Sequence, residues 1–219
     1  MTFARSLTES LAPKHLLKHP FYQAWNAGTL PLDVLRTYAR QYFHHVAAFP
    51  RYLSATHSNC EQIQARQVLL DNLCDEEKGA ENHPELWLRF AEGLGVERKD
   101  VHAEQAQPQT RELVDTFMSL SRKSYASGLG ALYAYEQQVP EVATAKIDGL
   151  KKFYGVTDER GLQFFTVHQK ADVWHSQEVA ALMDALPADQ QAEAKEAAHR
   201  AADALWGFLS GIQRECGCM

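Results

Sequence analysis

Apolar side chains recur every three or four residues along almost the whole chain, which is the period of an amphipathic α-helix. In the segment 32–59, for example, the aromatic residues Tyr38, Tyr42, Phe49 and Tyr52 fall at helical spacing. No segment of useful length alternates apolar and polar residues as a half-buried strand does. The pattern therefore predicts an all-α protein, a bundle of about seven to nine helices.

Proline and glycine residues mark where these helices begin and end. A first helix is predicted over about residues 5–18, followed by a turn over residues 21–31. Pro31 suits the first position of the next, long helix, and Pro50 is expected to kink that helix. Further along, His102 is expected in a short loop. The rest of the pattern is helical as far as about residue 214.

Composition narrows the classes of function. The 219 residues include no Pro/Gly/Ser-rich linker, so residues 1–219 are predicted to form a single domain. The net charge is −6 and there is no basic run, which argues against nucleic-acid and anionic-membrane partners. No stretch approaches the roughly 18 apolar residues of a membrane span, and the N-terminus lacks the apolar core of a signal peptide. With Cys60 and Cys74 each standing alone in helical sequence, a reducing cytoplasmic location is expected.

The motif His168-x3-Asp172-x2-His175 places three metal-ligand side chains on one predicted helix. At about 100° per residue, they lie within an arc of roughly 60°. Two imidazoles and a carboxylate are costly to bury together without a partner. A metal ion is the usual partner of such a group. The spacing therefore predicts a metal site on this helix.

Three further candidate ligands lie upstream, namely Glu76 and His83 in CDEEKGAENHP and Glu136 in LYAYEQQVP. Three oxygen and three nitrogen donors suit iron or manganese better than structural zinc, which favours thiolates. Glu76 is flanked by Asp75 and Glu77, so one of these three acidic residues must face solvent. Spacing alone leaves open the alternative that these are ordinary surface or core side chains, because the chain has ten histidines.

The succession E-x6-H, Y-E-x-Q-x-P and H-x3-D-x2-H resembles the haem-oxygenase-like di-metal oxidases. Within that group it is most similar to the proteins related to the chlamydial protein associating with death domains (CADD-like proteins). The similarity runs from HPFYQAW to the C-terminal helix. The fold is shared by the PQQ-synthesis oxidase PqqC and the TenA thiaminases, which lack this metal set. The resemblance implies a haem-oxygenase-like bundle with six metal ligands: Glu76, His83, Glu136, His168, Asp172 and His175.

The resemblance also implies an activity. CADD-like proteins are associated with making para-aminobenzoate for folate from a tyrosine and a lysine of the protein itself. Those residues match Tyr22 and Lys146 here. The implied cofactors are two metal ions, Fe/Fe or Fe/Mn, with dioxygen as co-substrate and an external reductant. Lys146 lies on an apolar turn of its predicted helix, and burial there would lower its pKa.

Two other functions stay open. One is an oxidase of the same fold that acts on a free small substrate. The other is a non-enzymatic helical interaction module, although such a module would not need six ligands. A TenA-like hydrolase is disfavoured because no cysteine lies beside the Glu136 or His168 segments. The expected partners are small molecules, dioxygen and the product, and a homodimer is left open.

Overall fold

Helices account for nearly all of the chain, as the periodicity predicts. The structure is a computed structural model that describes residues 1–215, apart from the side chains of residues 170–173. Within these residues there are eleven α-helices, two short 3₁₀ turns and no β-strand, so the all-α prediction is confirmed. The helices are α1 (Phe3–Leu11), α2 (Pro20–Ala27), α3 (Leu32–Ser58), α4 (Ile63–Glu77), α5 (His83–Gly93), α6 (Arg98–Ala103), α7 (Pro108–Lys123), α8 (Tyr125–Glu136), α9 (Val139–Phe153), α10 (Glu159–Asp184) and α11 (Ala188–Glu215).

Two short helices lie where the sequence pattern predicts a turn and a loop. α2 begins at Pro20, with the ring of His19 accepting a hydrogen bond from the backbone N–H of Phe21 at 3.0 Å. It ends at Gly28, whose φ of 70° is readily adopted only by glycine. The other short helix, α6, includes His102. The described residues therefore form eleven α-helices where about seven to nine were predicted, and α2 and α6 account for the difference.

Prolines set the helix ends somewhat differently from the prediction. Pro31 has extended backbone and caps α3, so the first helical residue is Leu32. Pro50 lies inside α3, which the structure assigns as one helix on both sides of it. The first predicted helix ends early, at Leu11, and Pro13 lies in the 3₁₀ turn that follows. A proline suits the start of such a turn because its missing N–H needs no partner there.

α8 lies at the centre of the bundle. Every residue from Ala126 to Glu136 is buried. A Cβ atom on Gly130 would lie 2.1 Å from the carbonyl oxygen of Ala194 in α11, so glycine is needed for these two helices to pack so closely. α8 therefore carries Glu136, at its C-terminal end, inside the protein rather than on its surface.

The helices around α8 bury one face each. On α4 the buried residues include Leu69, Asn72 and Glu76, which follow one another at helical spacing. α10 packs against α4, α5, α8 and α9. The helices that carry candidate ligands are thus neighbours in the bundle. Among the described residues, no helix is both long and apolar enough to cross a membrane.

Candidate metal centre and lysine–tyrosine cluster

Three of the six candidate ligands meet in the interior. Glu76, His83 and His168, from α4, α5 and α10, each offer one donor atom, and these atoms lie within 4.8 Å of one another. All three side chains are buried. A metal–ligand bond of about 2.1 Å allows donor atoms on opposite sides of one ion to lie roughly 4.2 Å apart. Small side-chain adjustments would therefore bring the three atoms onto one cation.

His168 is held in the tautomer that a metal needs. Its Nδ1 lies 2.6 Å from the carbonyl oxygen of Phe164, one turn earlier in α10. A carbonyl oxygen can only accept a hydrogen bond, so Nδ1 carries the proton and Nε2 keeps its lone pair. Burial, with His83 nearby as a further cause, holds the pKa of His168 well below its ordinary value. The ring is consequently neutral and can act as a ligand.

Glu76 and His83 face each other across the α4–α5 connection. Asn82 caps α5 by accepting a hydrogen bond from the N–H of Glu85 at 3.0 Å, so His83 becomes the first residue of the helix. Its Nδ1 lies 2.6 Å from Glu76 Oε2. Its ring also lies against His168, with centroids 4.3 Å apart. The carboxylate of Glu76 and the two imidazoles of His83 and His168 thus lie side by side.

Glu136 joins the same region from α8. It is buried, and its Oε1 accepts a hydrogen bond from Asn72 Nδ2 at 2.7 Å. Asn72 lies one turn before Glu76 on α4, so this bond ties one candidate ligand to the helix that carries another. Glu136 does not belong to the group of three donors within 4.8 Å found among the described residues.

The second half of the α10 motif is described only in part. His175 is buried, and its Nε2 lies 3.0 Å from Oδ2 of Asp75, whose side chain is largely exposed. A carboxylate on a histidine nitrogen is a common way of orienting a metal-binding imidazole. Asp75 thus contacts a candidate ligand, whereas the sequence pattern pointed to Glu76 alone. Asp172 lies on α10, but its side chain is outside the described residues.

The donor set fits iron. Carboxylate and imidazole ligands without a thiolate suit iron and manganese, and here they converge from separate helices. Each of the three clustered side chains would otherwise be a buried polar group. The residues present are therefore suited to the metal that the resemblance implies.

A lysine and several tyrosines form a second buried cluster. Lys146, on α9, is only 6% exposed and donates a hydrogen bond to the hydroxyl of Tyr38 at 2.9 Å. Burial lowers its pKa to about 7. At neutral pH, a substantial fraction of this amine is therefore unprotonated and nucleophilic. Five aromatic rings have centroids between 5.2 and 5.7 Å from Nζ, those of Tyr22, Tyr38, Tyr42, Trp87 and Phe165.

Tyr22 belongs to this cluster. Its hydroxyl lies 3.2 Å from that of Tyr38, and its ring centroid lies 5.5 Å from Lys146 Nζ. Burial raises the pKa of Tyr22 far above its ordinary value, although the hydrogen bond with Tyr38 partly opposes this shift. Tyr38 therefore connects the two residues that the resemblance singles out, a role that no spacing in the sequence indicates.

A small cavity lies between the cluster and one candidate metal ligand, His168. Tyr22, Lys146, Phe165 and His168 all contribute to its wall. Its volume of about 10 Å³ is close to the minimum for one water molecule. The tyrosine, the lysine and a candidate metal ligand thus line one small cavity.

Comparison with known proteins agrees with this geometry. Residues 36–207 match the model of a family described as iron-containing redox enzymes. The match spans most of the chain, and the chain belongs to this family. It is an enzyme family, which decides against the non-enzymatic interaction module.

Individual relatives are similar over nearly their whole length. The chain is 45% identical to a 4-aminobenzoate synthase of Nitrosomonas europaea, with 96% of this chain and 91% of that protein covered. It is 40% identical to a 4-aminobenzoate synthase of Chlamydia muridarum, covering 100% and 93% of the two chains. A solved structure from Shewanella denitrificans with a haem-oxygenase-like fold superposes with a TM-score of 0.82 at 15% identity, covering 97% of this chain and 91% of that one. The last likeness concerns the fold alone, and it confirms the expected haem-oxygenase-like bundle.

Proposed function

We propose that this chain is a 4-aminobenzoate synthase that takes the ring of its product from Tyr22 and the amino nitrogen from Lys146. The names of the two similar proteins support the product. The observation that supports the proposal most directly is that Tyr22 and Lys146 line the same small cavity. Lys146 Nζ lies 5.5 Å from the Tyr22 ring centroid, and both residues line a cavity that His168 also lines.

Six residues would hold two metal ions, Fe/Fe or Fe/Mn. The candidate group Glu76, His83 and His168 supports this assignment most directly. Bound there, the metal supplies activation of dioxygen, with electrons from an external reductant. The remaining proposed ligands are Glu136, Asp172 and His175.

The chemistry asked of the chain can be written as bonds. The Cα–Cβ bond of Tyr22 breaks, and Cα takes up a proton, so that a glycine remains at position 22. Cβ is oxidised to the carboxylate of the product, with dioxygen as the oxidant. Nζ of Lys146 forms a bond to the ring carbon that bears the phenolic oxygen, and that oxygen leaves as water. Dioxygen then oxidises Cε of Lys146, which is left as an aldehyde when the Cε–Nζ bond breaks, and the nitrogen stays with the ring.

Burial supports the role of Lys146 in this sequence. An ammonium group has no lone pair, so only the neutral amine can attack the ring. In water a lysine is almost entirely protonated at neutral pH. With its pKa lowered to about 7, Lys146 presents the neutral amine without a separate base. The Tyr38 hydroxyl holds this amine and Tyr22 in one hydrogen-bonded series.

The small cavity favours a substrate from the chain itself over a free substrate. A volume of about 10 Å³ accepts roughly one water and no free aromatic ring. An oxidase acting on a free small substrate would need this space to open. If the ring is already a side chain in the wall, no such opening is required before the reaction.

Isotope labelling tests the proposal. The protein is produced with ring- and Cβ-labelled tyrosine and with lysine labelled with ¹⁵N at Nζ, then loaded with iron, reduced and exposed to dioxygen. We expect 4-aminobenzoate that carries both labels, without any added aromatic compound. Unlabelled 4-aminobenzoate, or product that requires an added substrate, would favour the free-substrate oxidase.

Matched variants identify the residues. Tyr22→Phe should abolish the product because the ring then lacks its para oxygen, whereas Tyr154→Phe should retain it. Tyr154 contacts Trp25 at the end of α9 and serves as a control for loss of a partly buried phenol. Lys146→Arg should also abolish the product, while Lys151→Arg, on an exposed site of the same helix, should not. Labelled product from Tyr22→Phe would show that another tyrosine supplies the ring.

A further inference from the structure

Asn72 lies among the candidate metal ligands although it is not one of them. It is 2% exposed and lies on the inner face of α4, four residues before Glu76. Its Nδ2 donates a hydrogen bond of 2.7 Å to Oε1 of Glu136. This one amide therefore connects the carboxylate of α8 to the helix that carries Glu76.

The chemistry of the pair fixes the orientation of the amide. A carboxylate only accepts hydrogen bonds, so the nitrogen of Asn72, and not its oxygen, must face Glu136. Asn72 Oδ1 then faces elsewhere. It is buried and meets no hydrogen-bond donor among the described residues. A buried polar atom without a hydrogen-bond partner destabilises the fold. Asparagine at this position therefore makes the hydrogen bond to Glu136 but leaves its own amide oxygen without a donor.

A purely structural role accounts poorly for asparagine at this site. Asparagine is a weaker helix former than leucine. A leucine would bury apolar surface beside Leu69 and leave no bare oxygen. The hydrogen bond to Glu136 is what asparagine provides and leucine does not. Residues that orient metal ligands are typically of this kind.

We propose that Asn72 is a positioning residue of the metal centre. Its Nδ2 donates a hydrogen bond to Oε1 of Glu136 and so leaves the other carboxylate oxygen, Oε2, to bind the metal. The proposal rests on the metal site of the proposed function. It concerns how one carboxylate is presented, and it predicts an effect on iron binding that does not depend on product formation.

The test is anaerobic titration of the metal-free protein with ferrous iron, followed by calorimetry. We expect Asn72→Leu to weaken the binding of at least one iron by about 10- to 100-fold, the usual range for residues that orient metal ligands. The gain in melting temperature on adding iron should shrink accordingly. Should Asn72→Leu fail to fold, Asn72→Ala is titrated in its place with the same expectation.

A matched control separates positioning from general stability. Thr110 is buried, and its Oγ1 donates a 2.7 Å hydrogen bond to Gln41 Oε1, which links α7 with α3 rather than two ligand-bearing helices. Thr110→Val should lower the melting temperature with and without iron and leave iron affinity unchanged.

A double variant adds a second criterion. If Asn72 acts through Glu136, Asn72→Leu should change iron affinity little in a Glu136→Gln background.

The outcomes distinguish the two proposals. If the wild-type protein binds iron and Asn72→Leu binds it equally well, the positioning role is wrong while the metal centre stands. Additive effects of the two substitutions would likewise overturn it. If the wild-type protein itself binds no iron, the metal centre of the proposed function fails, and the role of Asn72 fails with it.

Discussion

Lys146 Nζ lies 2.9 Å from the hydroxyl oxygen of Tyr38, inside a ring of aromatic side chains. No carboxylate is among the causes of its pKa shift, so burial acts without a compensating charge. Tyr38 in turn lies 3.2 Å from the hydroxyl of Tyr22. The buried phenol of Tyr38 therefore connects Lys146 and Tyr22, the two residues that the proposed reaction consumes.

The first prediction concerns the pH dependence of product formation. Because the pKa of Lys146 is about 7, its neutral fraction falls as the pH drops below that value. We expect the initial rate to fall about tenfold between pH 8 and pH 6, in proportion to the neutral amine. The measurement is product released by reduced, iron-loaded protein in single-turnover experiments. A flat profile in that range would show that deprotonation of the lysine does not limit the reaction, and Lys151→Arg should follow the wild-type curve.

The second prediction concerns stability. The pKa of Lys146 is about 7 in the folded protein and 10.5 as the ordinary value. Between about pH 7 and pH 10.5, Lys146 therefore binds more protons in the unfolded state than in the folded state. In that range it makes the free energy of unfolding rise with pH. Below about pH 7, Lys146 is protonated in both states, and burial of its ammonium group lowers the free energy of unfolding by the full amount. We thus expect Lys146→Met to raise the free energy of unfolding by roughly 3–5 kcal/mol near pH 6.

That advantage should shrink steadily from about pH 7 to pH 10, as the unfolded lysine also loses its proton. Urea denaturation of both proteins across this range measures it. Lys151→Met, on the exposed face of α9, is the control and should show no such trend. An advantage of Lys146→Met that does not change with pH would contradict the lowered pKa.

The third prediction concerns iron. Without a cation, the carboxyl groups of Glu76 and Glu136 are buried away from water, which is costly for polar groups. Binding to the folded state alone stabilises it, by about 2.7 kcal/mol at a hundredfold excess over Kd. For a chain of this size we expect chelation to lower the melting temperature by about 5–10 °C. An unchanged melting temperature after chelation would argue against a buried metal centre.

The same centre can be tested by removing one ligand. His168→Ala should lose at least one iron per chain, because His168 supplies one of the three clustered candidate donors. His199→Ala is the control, since this ring contacts Ser10 Oγ at 3.1 Å and takes no part in the centre. Iron content measured by elemental analysis should fall in the first variant only. Full iron content in His168→Ala would remove this residue from the ligand set.

The fourth prediction concerns the ion pairs that join α5 to α6. Arg98 forms hydrogen bonds with Glu85 and Glu92, and the bond from Arg98 is the main cause that lowers the pKa of Glu85 to about 2. This stabilisation is present above the ordinary pKa of 4.5 and is lost as the pH falls towards 2. Because the groups are partly exposed, Arg98→Met should cost only about 1 kcal/mol near neutral pH.

The difference in unfolding free energy between Arg98→Met and the wild type should shrink as the pH falls below 4.5. It should close near pH 2, where Glu85 takes up a proton in the folded state. Thermal unfolding at several pH values measures this. Lys99→Met is the control, because Lys99 and Glu97 form a largely exposed pair that should contribute almost nothing. If Arg98→Met is still less stable than the wild type at low pH, packing of the aliphatic part of the arginine side chain accounts for the loss of stability instead.

The sequence by itself determined the helical class and the clustering of candidate ligands on α10. Both follow from the helical period, which is a local property: His168, Asp172 and His175 share a face wherever that helix lies. The resemblance drew attention to Tyr22 and Lys146. The short helix α2 was missed because eight residues bounded by a proline and a glycine look like a turn in sequence.

Only the tertiary structure decided which residues meet. Asn72 and Glu136 are 64 positions apart, and Lys146 and Tyr38 are 108 apart. Likewise, Asp75 reaches His175 across 100 positions. Such pairs depend on how α4, α8, α9 and α10 pack against one another, and no local period encodes that packing. The lowered pKa of Lys146 has the same origin, because desolvation arises from side chains that the fold gathers from distant parts of the chain.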